Sequence, residues 1–163
     1  MIAAGLSLTH GATVVLDDVT FEVTPGELLV LTGEDGCGTS SLLRLLPGTR
    51  LDAPPGDEWD PADVVPPGLA LAGSLAGREL WTLSGGERQR VRLSRVLDAN
   101  VLLLDEGLGA LDSVGVREVL VALRARAAAG ACVVLVAKGD ERAYAAADRV
   151  LVLAGGWLRP LRD

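Results

Sequence analysis

A chain of 163 residues with a formal net charge of −7 offers no field for a nucleic-acid backbone or an anionic membrane surface, so phosphate would have to be held by local geometry. That length suits one domain, which buries roughly 70% of the surface its unfolded form exposes, so a core is available without staples. The apolar fraction is 49% and the aromatic fraction only 3%, which points to a buried Val, Leu and Ala sheet under packed helices and leaves few platforms for stacking bases.

Cys37 and Cys132 lie far apart, one inside an apolar run, which fits a reduced cytoplasmic protein better than a disulfide framework. No secretory leader is read, and the apolar runs stop short of the ~18 residues of a spanning helix. Work at a membrane would need a partner that supplies the spanning part.

In chain order, residues 6–9 and 19–23 read as short strands of an antiparallel opening, with Gly11 and the Asp17-Asp18 pair as breaks. After the Pro25-Gly26 turn, Leu28-Leu29-Val30-Leu31 is long enough for a buried strand. It leads into Gly33-Glu34-Asp35-Gly36-Cys37-Gly38-Thr39-Ser40-Ser41 and then Leu42-Leu43-Arg44-Leu45-Leu46, giving strand, glycine loop and helix. Six of the eight prolines (Pro47, Pro54, Pro55, Pro61, Pro66, Pro67) fall between positions 47 and 67, a long loop or weakly ordered insert. No internal repeat or second domain is read.

From Gly86 the pattern becomes regular. A helix to about Leu97 is followed by a strand at 101–104 and a helix over about 113–129, in which Val116, Val119, Leu120 and Leu123 share one face and Gly130 is the stop. Then come a strand at 132–137, a short helix at about 141–147, a strand at 149–154, and a Gly155-Gly156 turn into residues 157–160. Strands alternating with helices argue a mainly parallel α/β sheet.

The glycine loop matches the phosphate-binding spacing G-x-x-x-x-G-K-[ST] at Gly33 and Gly38, with Gly36 between them, Ser40 in the metal-ligand position and Ser41 after it. Such a turn points backbone N–H groups at one spot, where the following helix adds partial positive charge. Thr39 stands where the lysine belongs, and a plain glycine turn capping a helix explains the loop equally well. Further on, Ser84 and Glu87 have the spacing of a capping box, which leaves the paired glycines between them unexplained.

The octad Leu83-Ser84-Gly85-Gly86-Glu87-Arg88-Gln89-Arg90 resembles the signature motif of ATP-binding cassette (ABC) ATPases, and the resemblance extends over nearly the whole chain in that family's order. It implies a P-loop NTPase-like α/β core, mainly a parallel sheet flanked by helices with an N-terminal antiparallel portion, and ATP with Mg²⁺ as ligands. It also implies a dimer, because in that family the signature of one cassette closes on the γ-phosphate held by a second. Carried over, Ser84, Gly85 and Gly86 would be donors to a partner's ATP. Val101-Leu102-Leu103-Leu104-Asp105-Glu106 resembles the Walker B strand, so that Asp105 would hold Mg²⁺ through water and Glu106 would polarise an attacking water. Gly109-Ala110-Leu111-Asp112 resembles the D-loop, with Asp112 reaching across the dimer. The bare residues also allow a buried strand closed by a helix-capping acid, and Asp112 as an ordinary N-cap.

The departures from that family matter as much. Thr39 keeps a hydroxyl but lacks the Walker A cation, and a hydrogen bond to a charged group is worth about 1.5–3 kcal/mol. The switch histidine falls at Lys138, a point charge without an imidazole, whose plain reading is a solvated lysine at a strand end. The Q-loop glutamine falls at Pro67, and His10 stands near the expected adenine-stacking aromatic, where an exposed loop histidine is the plainer reading. Only residues 68–82 separate Pro67 from the signature, so the helical subdomain that docks on a membrane subunit is largely reduced.

The resemblance therefore implies a transporter cassette subunit with an impaired site of its own. It would pair with a second cassette, sit in the cytoplasm or at the inner face of the membrane through a membrane subunit, and bind no nucleic acid. Two alternatives stay open: an active ATPase in which Lys138 or another cation replaces the missing lysine, and a non-catalytic regulatory module that keeps the cassette fold.

Overall fold

The computed structural model describes residues 1–51, 64–105 and 107–161. Strands β1 (Ile2–His10) and β2 (Thr13–Glu22) form an antiparallel hairpin. Both are longer than the sequence suggests, and the Asp17-Asp18 pair does not break β2. Asp18 takes a φ of 49° at an irregularity of the ladder, where its N–H bonds the Ser7 hydroxyl at 3.0 Å. Aspartate tolerates that conformation better than most residues, so the strand bends there and continues.

A second sheet holds the core. β3 (Leu28–Thr32), β4 (Thr49–Leu51), β5 (Val101–Asp105), β6 (Cys132–Val136), β7 (Arg149–Ala154) and β8 (Trp157–Pro160) lie in the order β4-β5-β6-β3-β7-β8. All neighbours are parallel except β7 and β8, which close as an antiparallel hairpin. Side chains alternate across the sheet, as strand geometry requires. Leu28, Val30, Leu102, Leu104, Val133 and Leu135 face one cluster, whereas Leu29, Leu31, Leu103, Val134 and Val136 face another.

Helices α2 (Gly85–Val96) and α3 (Ser113–Ala128) cover the first face, with Leu93 from α2 and Val116, Val119, Leu120 and Leu123 from α3, the four positions expected from periodicity. Helix α1 (Thr39–Leu45) and the β1–β2 hairpin cover the second face through Leu42, Leu43, Leu16, Val19 and Phe21. The short α4 (Glu141–Ala146) precedes β7. A sheet buried on both sides explains the unbroken apolar runs of β3, β5 and β6.

β4 was not legible in the sequence, where 47–67 reads as loop. It forms because Gly48 lets the chain approach β5: a Cβ there would lie 2.7 Å from Val101 Cγ1. Pro54, Pro55 and Pro61 lie outside the described residues. From 64 to 83 the described chain holds two short 3₁₀ turns, Gly73–Leu75 and Leu80–Thr82, and a small apolar cluster in which Val65, Ala72, Leu75, Leu80 and Leu83 pack against Val91 of α2. Among the described residues, no helix is long and apolar enough to cross a membrane.

Candidate functional site

The glycine loop leaves the C-terminal end of β3, the place where open parallel sheets collect their ligands. Gly36 and Gly38 take φ of 76° and 104°, conformations that favour glycine. Gly38 also has no room for a side chain, since its Cβ would fall 2.6 Å from Val15 Cγ1 of β2. Gly33 is held by contact: a Cβ there would meet the Leu153 carbonyl oxygen of β7 at 2.5 Å and Cys37 Sγ at 2.6 Å. Gly33→Ala is expected to destabilise the protein by about 1–3 kcal/mol, because the carbonyl belongs to a paired strand and gives little. An unchanged denaturant midpoint would contradict this packing.

Thr39 begins α1 and is buried, with its hydroxyl 4.0 Å from Cys37 Sγ. On the next residue, the Ser40 hydroxyl donates to Asp105 Oδ1 at 3.1 Å, joining the loop to the end of β5. Asp105 is buried at the last position of that strand, one residue beyond the predicted strand. A hydroxyl beside a carboxylate is the hard oxygen pair that suits Mg²⁺, which takes few protein ligands and keeps most of its water. Ser41 is half-buried in the first turn of α1. Glu106 lies outside the described residues.

Lys138 follows β6 and donates to Asp35 Oδ1 of the glycine loop at 2.9 Å. That ion pair is the main reason the Asp35 carboxyl sits below its ordinary value. A groove of about 310 Å³ opens there, lined among others by Asp35, Leu108, Leu111, Lys138 and Arg142. His10 is exposed at the turn of the β1–β2 hairpin, and Pro67 is exposed in the connection before the signature.

The signature stretch opens elsewhere. Ser84 caps α2, accepting from Glu87 N at 3.3 Å while its own N–H donates to Glu87 Oε2 at 2.8 Å. The capping box is therefore real, and it accounts for two residues of the octad. Gly86 has its own reason, since a Cβ there would press on the Ala110 carbonyl oxygen at 3.2 Å. Gly85 has none among the described residues, where nothing stands within 4 Å of its missing Cβ. Asp112 caps α3 by accepting from Gly115 N at 2.8 Å. Ser84, Gly85, Gly86 and Asp112 line a groove of about 390 Å³ whose described lining shares only Leu111 with the groove beside Lys138.

The Glu87 carboxyl is held below its ordinary value, first by the Ser84 amide and then by the Ser84 hydroxyl and the Arg78 guanidinium. A carboxyl depressed in the folded state adds stability above its unfolded value and loses it as pH falls through the folded value. Glu87→Gln is therefore expected to lower stability at pH 7, and the gap from wild type to narrow as pH falls below the ordinary glutamate range. Denaturant midpoints at pH 7 and pH 3.5 check this; an equal gap at both would assign the loss to something other than the charge.

Two residues escaped the sequence reading. Gln89, buried on α2, donates to the Gly107 carbonyl at 3.1 Å and so ties the signature helix to the backbone just after the Asp105-Glu106 pair. Its place inside the octad was the available signal. Tyr144 of α4 puts its hydroxyl 2.8 Å from the Thr32 hydroxyl and accepts from Gly139 N at 2.8 Å, which fixes the turn that carries Lys138. No motif marked it, because the contact forms only through packing.

The chain is similar to known proteins over most of its length. The family profile described as ABC transporter matches residues 16–65. The chain is 34% identical over 209 residues to a hemin import ATP-binding protein of Thermobifida fusca (strain YX), covering 94% of this chain and 73% of the relative. It is 34% identical over 191 residues to an aliphatic sulfonates import ATP-binding protein of Shouchella clausii (strain KSM-K16), covering 94% and 76%. Both alignments are longer than the 163 residues here, so these relatives carry residues without a counterpart in this chain. A bacterial ABC transporter cassette solved as a dimer superposes with a TM-score of 0.74 at 20% identity, over 100% of each chain.

Proposed function

The chain belongs to the ABC transporter family of ATP-binding subunits, and from that premise we propose that it works as one half of a cassette pair, its signature face completing a partner's ATP site while its own loop binds ATP weakly. The observation that carries this is the separation of the two grooves. Among the described residues, Ser84 to Gly86 do not line the groove that the loop residue Asp35 lines, which supports a site completed by a second chain.

In its own half, Gly33, Gly36 and Gly38 shape the loop for the phosphates, and Ser40 with Asp105 would hold Mg²⁺. Bound there, Mg²⁺ would neutralise phosphate charge and orient the terminal phosphate. Glu106 would polarise the attacking water, and Gln89 braces the backbone beside it through Gly107. Thr39 brings no cation, so affinity falls and stabilisation of transition-state charge falls further. In the partner's half, Ser84, the amides of Gly85 and Gly86, and Asp112 would meet the phosphate. We read residues 1–163 as one cassette domain, with 47–82 as the shortened connection.

A membrane subunit would couple this pair to transport, placing the chain at the cytoplasmic face of a membrane. The hemin and aliphatic sulfonate names of its relatives support an import system as the setting. A second reading, a regulatory module without turnover, draws on one observation: between 64 and 84 the described chain has 3₁₀ turns but no α-helix with which to dock on a membrane subunit.

Nucleotide titration with and without Mg²⁺, followed by hydrolysis assays on the chain alone and mixed with a complete cassette, tests the proposal. Weak Mg²⁺-dependent ATP binding alone and turnover only in the mixture are expected. Ordinary turnover by the isolated monomer would overturn the impaired-site reading, and stable co-purification with a membrane subunit would remove the regulatory one.

A further inference from the structure

Helix α3 buries one face in the core, and the opposite face is not the polar surface expected of an amphipathic helix. Val114 and Val121 are each 63% exposed, and the exposed Arg117 and Arg124 follow them on the same side. Val114, Arg117, Val121, Arg124 and Ala128 step along the helix by three and four residues in turn, the period of a seam between two helices. Valine is among the weaker helix formers, so a solvated face alone gives no reason for two of them there.

Beside this stripe runs a groove of about 570 Å³. Leu120, Val121 and the two arginines form one wall, and Ala145 and Ala146 of α4 form the other with little side-chain bulk. Arg142 also lines it, a third cation on one face of a chain whose net charge is −7. Among the described residues Arg117 makes no hydrogen bond or ion pair. Arg124 gives Nη1 to Asp148, and Arg142 gives Nε and Nη2 to Asp140, so both guanidinium groups keep donors for a further acid. A second copy of this chain suits the stripe poorly, because pairing it with itself sets arginine against arginine. Carboxylates on a helix of matching period complement it, and the seven-residue repeat selects a helix over an extended strand.

We propose that the outer face of α3 is a docking surface for an amphipathic helix of another protein, one that lays apolar side chains on Val114 and Val121 and sets aspartate or glutamate against Arg117 and Arg124. The two arginines lie two turns apart, about 10 Å along the axis, so the partner's acids repeat every seven residues or so. The groove shares no described lining residue with the signature groove, so this surface is additional to the one proposed for a second cassette and does not depend on the reading of the glycine loop.

The test is fluorescence anisotropy of a labelled, hydrocarbon-stapled peptide about four turns long, with leucine and glutamate in heptad alternation, titrated with the full chain. A counterpart peptide carries lysine in place of glutamate. Wild type is expected to bind the glutamate peptide about tenfold or more tighter than the lysine one. Val121→Glu is expected to weaken the glutamate peptide by about tenfold or more. Arg117→Glu is expected to weaken the glutamate peptide and tighten the lysine one, a crossover that a damaged fold does not produce. Equal binding of the two peptides by wild type overturns the inference, as does undiminished binding of the glutamate peptide by Val121→Glu. Failure of wild type to bind the glutamate peptide overturns it too, whether sedimentation then assigns the face to a second copy through a dimer that Val121→Glu disrupts, or decanoate fills the groove as a small amphiphile.

Discussion

Thr39→Lys is expected to tighten ATP binding by about tenfold or more, the effect of restoring one charged hydrogen-bond donor to a phosphate site. Thr39 opens α1 between the glycines and Ser40, so a lysine there would project from the loop proposed to hold the phosphates. The threonine is buried and, among the described residues, its hydroxyl makes only a 4.0 Å sulfur contact, so few polar contacts are lost when it is replaced. Thr39→Met, similar in length without the charge, separates electrostatics from bulk. Titration of all three proteins decides the matter: a lysine variant no better than the methionine one would mean that charge is not what the loop lacks.

Gly85→Ala should leave stability unchanged or slightly raised while reducing hydrolysis in the cassette pair by about 100-fold, the scale of losing one donor to developing charge. The first half follows from local structure, because among the described residues nothing lies within 4 Å of the added methyl group, and alanine is the better helix former. The second half follows from the proposed pairing, in which a partner's phosphate would approach the first turn of α2 closely enough to meet backbone N–H groups. Gly86→Ala is the contrasting variant, because the Ala110 carbonyl at 3.2 Å makes its methyl group an internal problem as well. Thermal melts and steady-state hydrolysis of the mixed pair check the contrast. Full activity of Gly85→Ala would remove the signature face from the partner's site.

The core strands were legible because a sheet covered on both faces demands unbroken apolar runs, and residues 28–31, 101–104 and 132–136 are such runs. α3 was legible because its four buried positions follow helical periodicity within one continuous segment. β4 was not, since three residues carry no period and Gly48 shows its purpose only against Val101. The continuity of β2 through Asp17-Asp18 was missed for a related reason: Ser7 on the opposite strand, not the local sequence, absorbs the irregularity.

The site divides along the same line. The octad and the Asp105-Glu106 pair were picked out by their resemblance to family motifs, and the glycine loop by a spacing that a plain glycine turn also explains, because each is a local pattern of neighbours in sequence. Tertiary structure joined Ser40 to Asp105, rested Lys138 on Asp35, braced Gly107 with Gln89, and gave the signature a groove separate from the loop's. Residues 65 and 103 positions apart meet only after parallel strands align their C-terminal ends, a geometry that no run of residues encodes by itself.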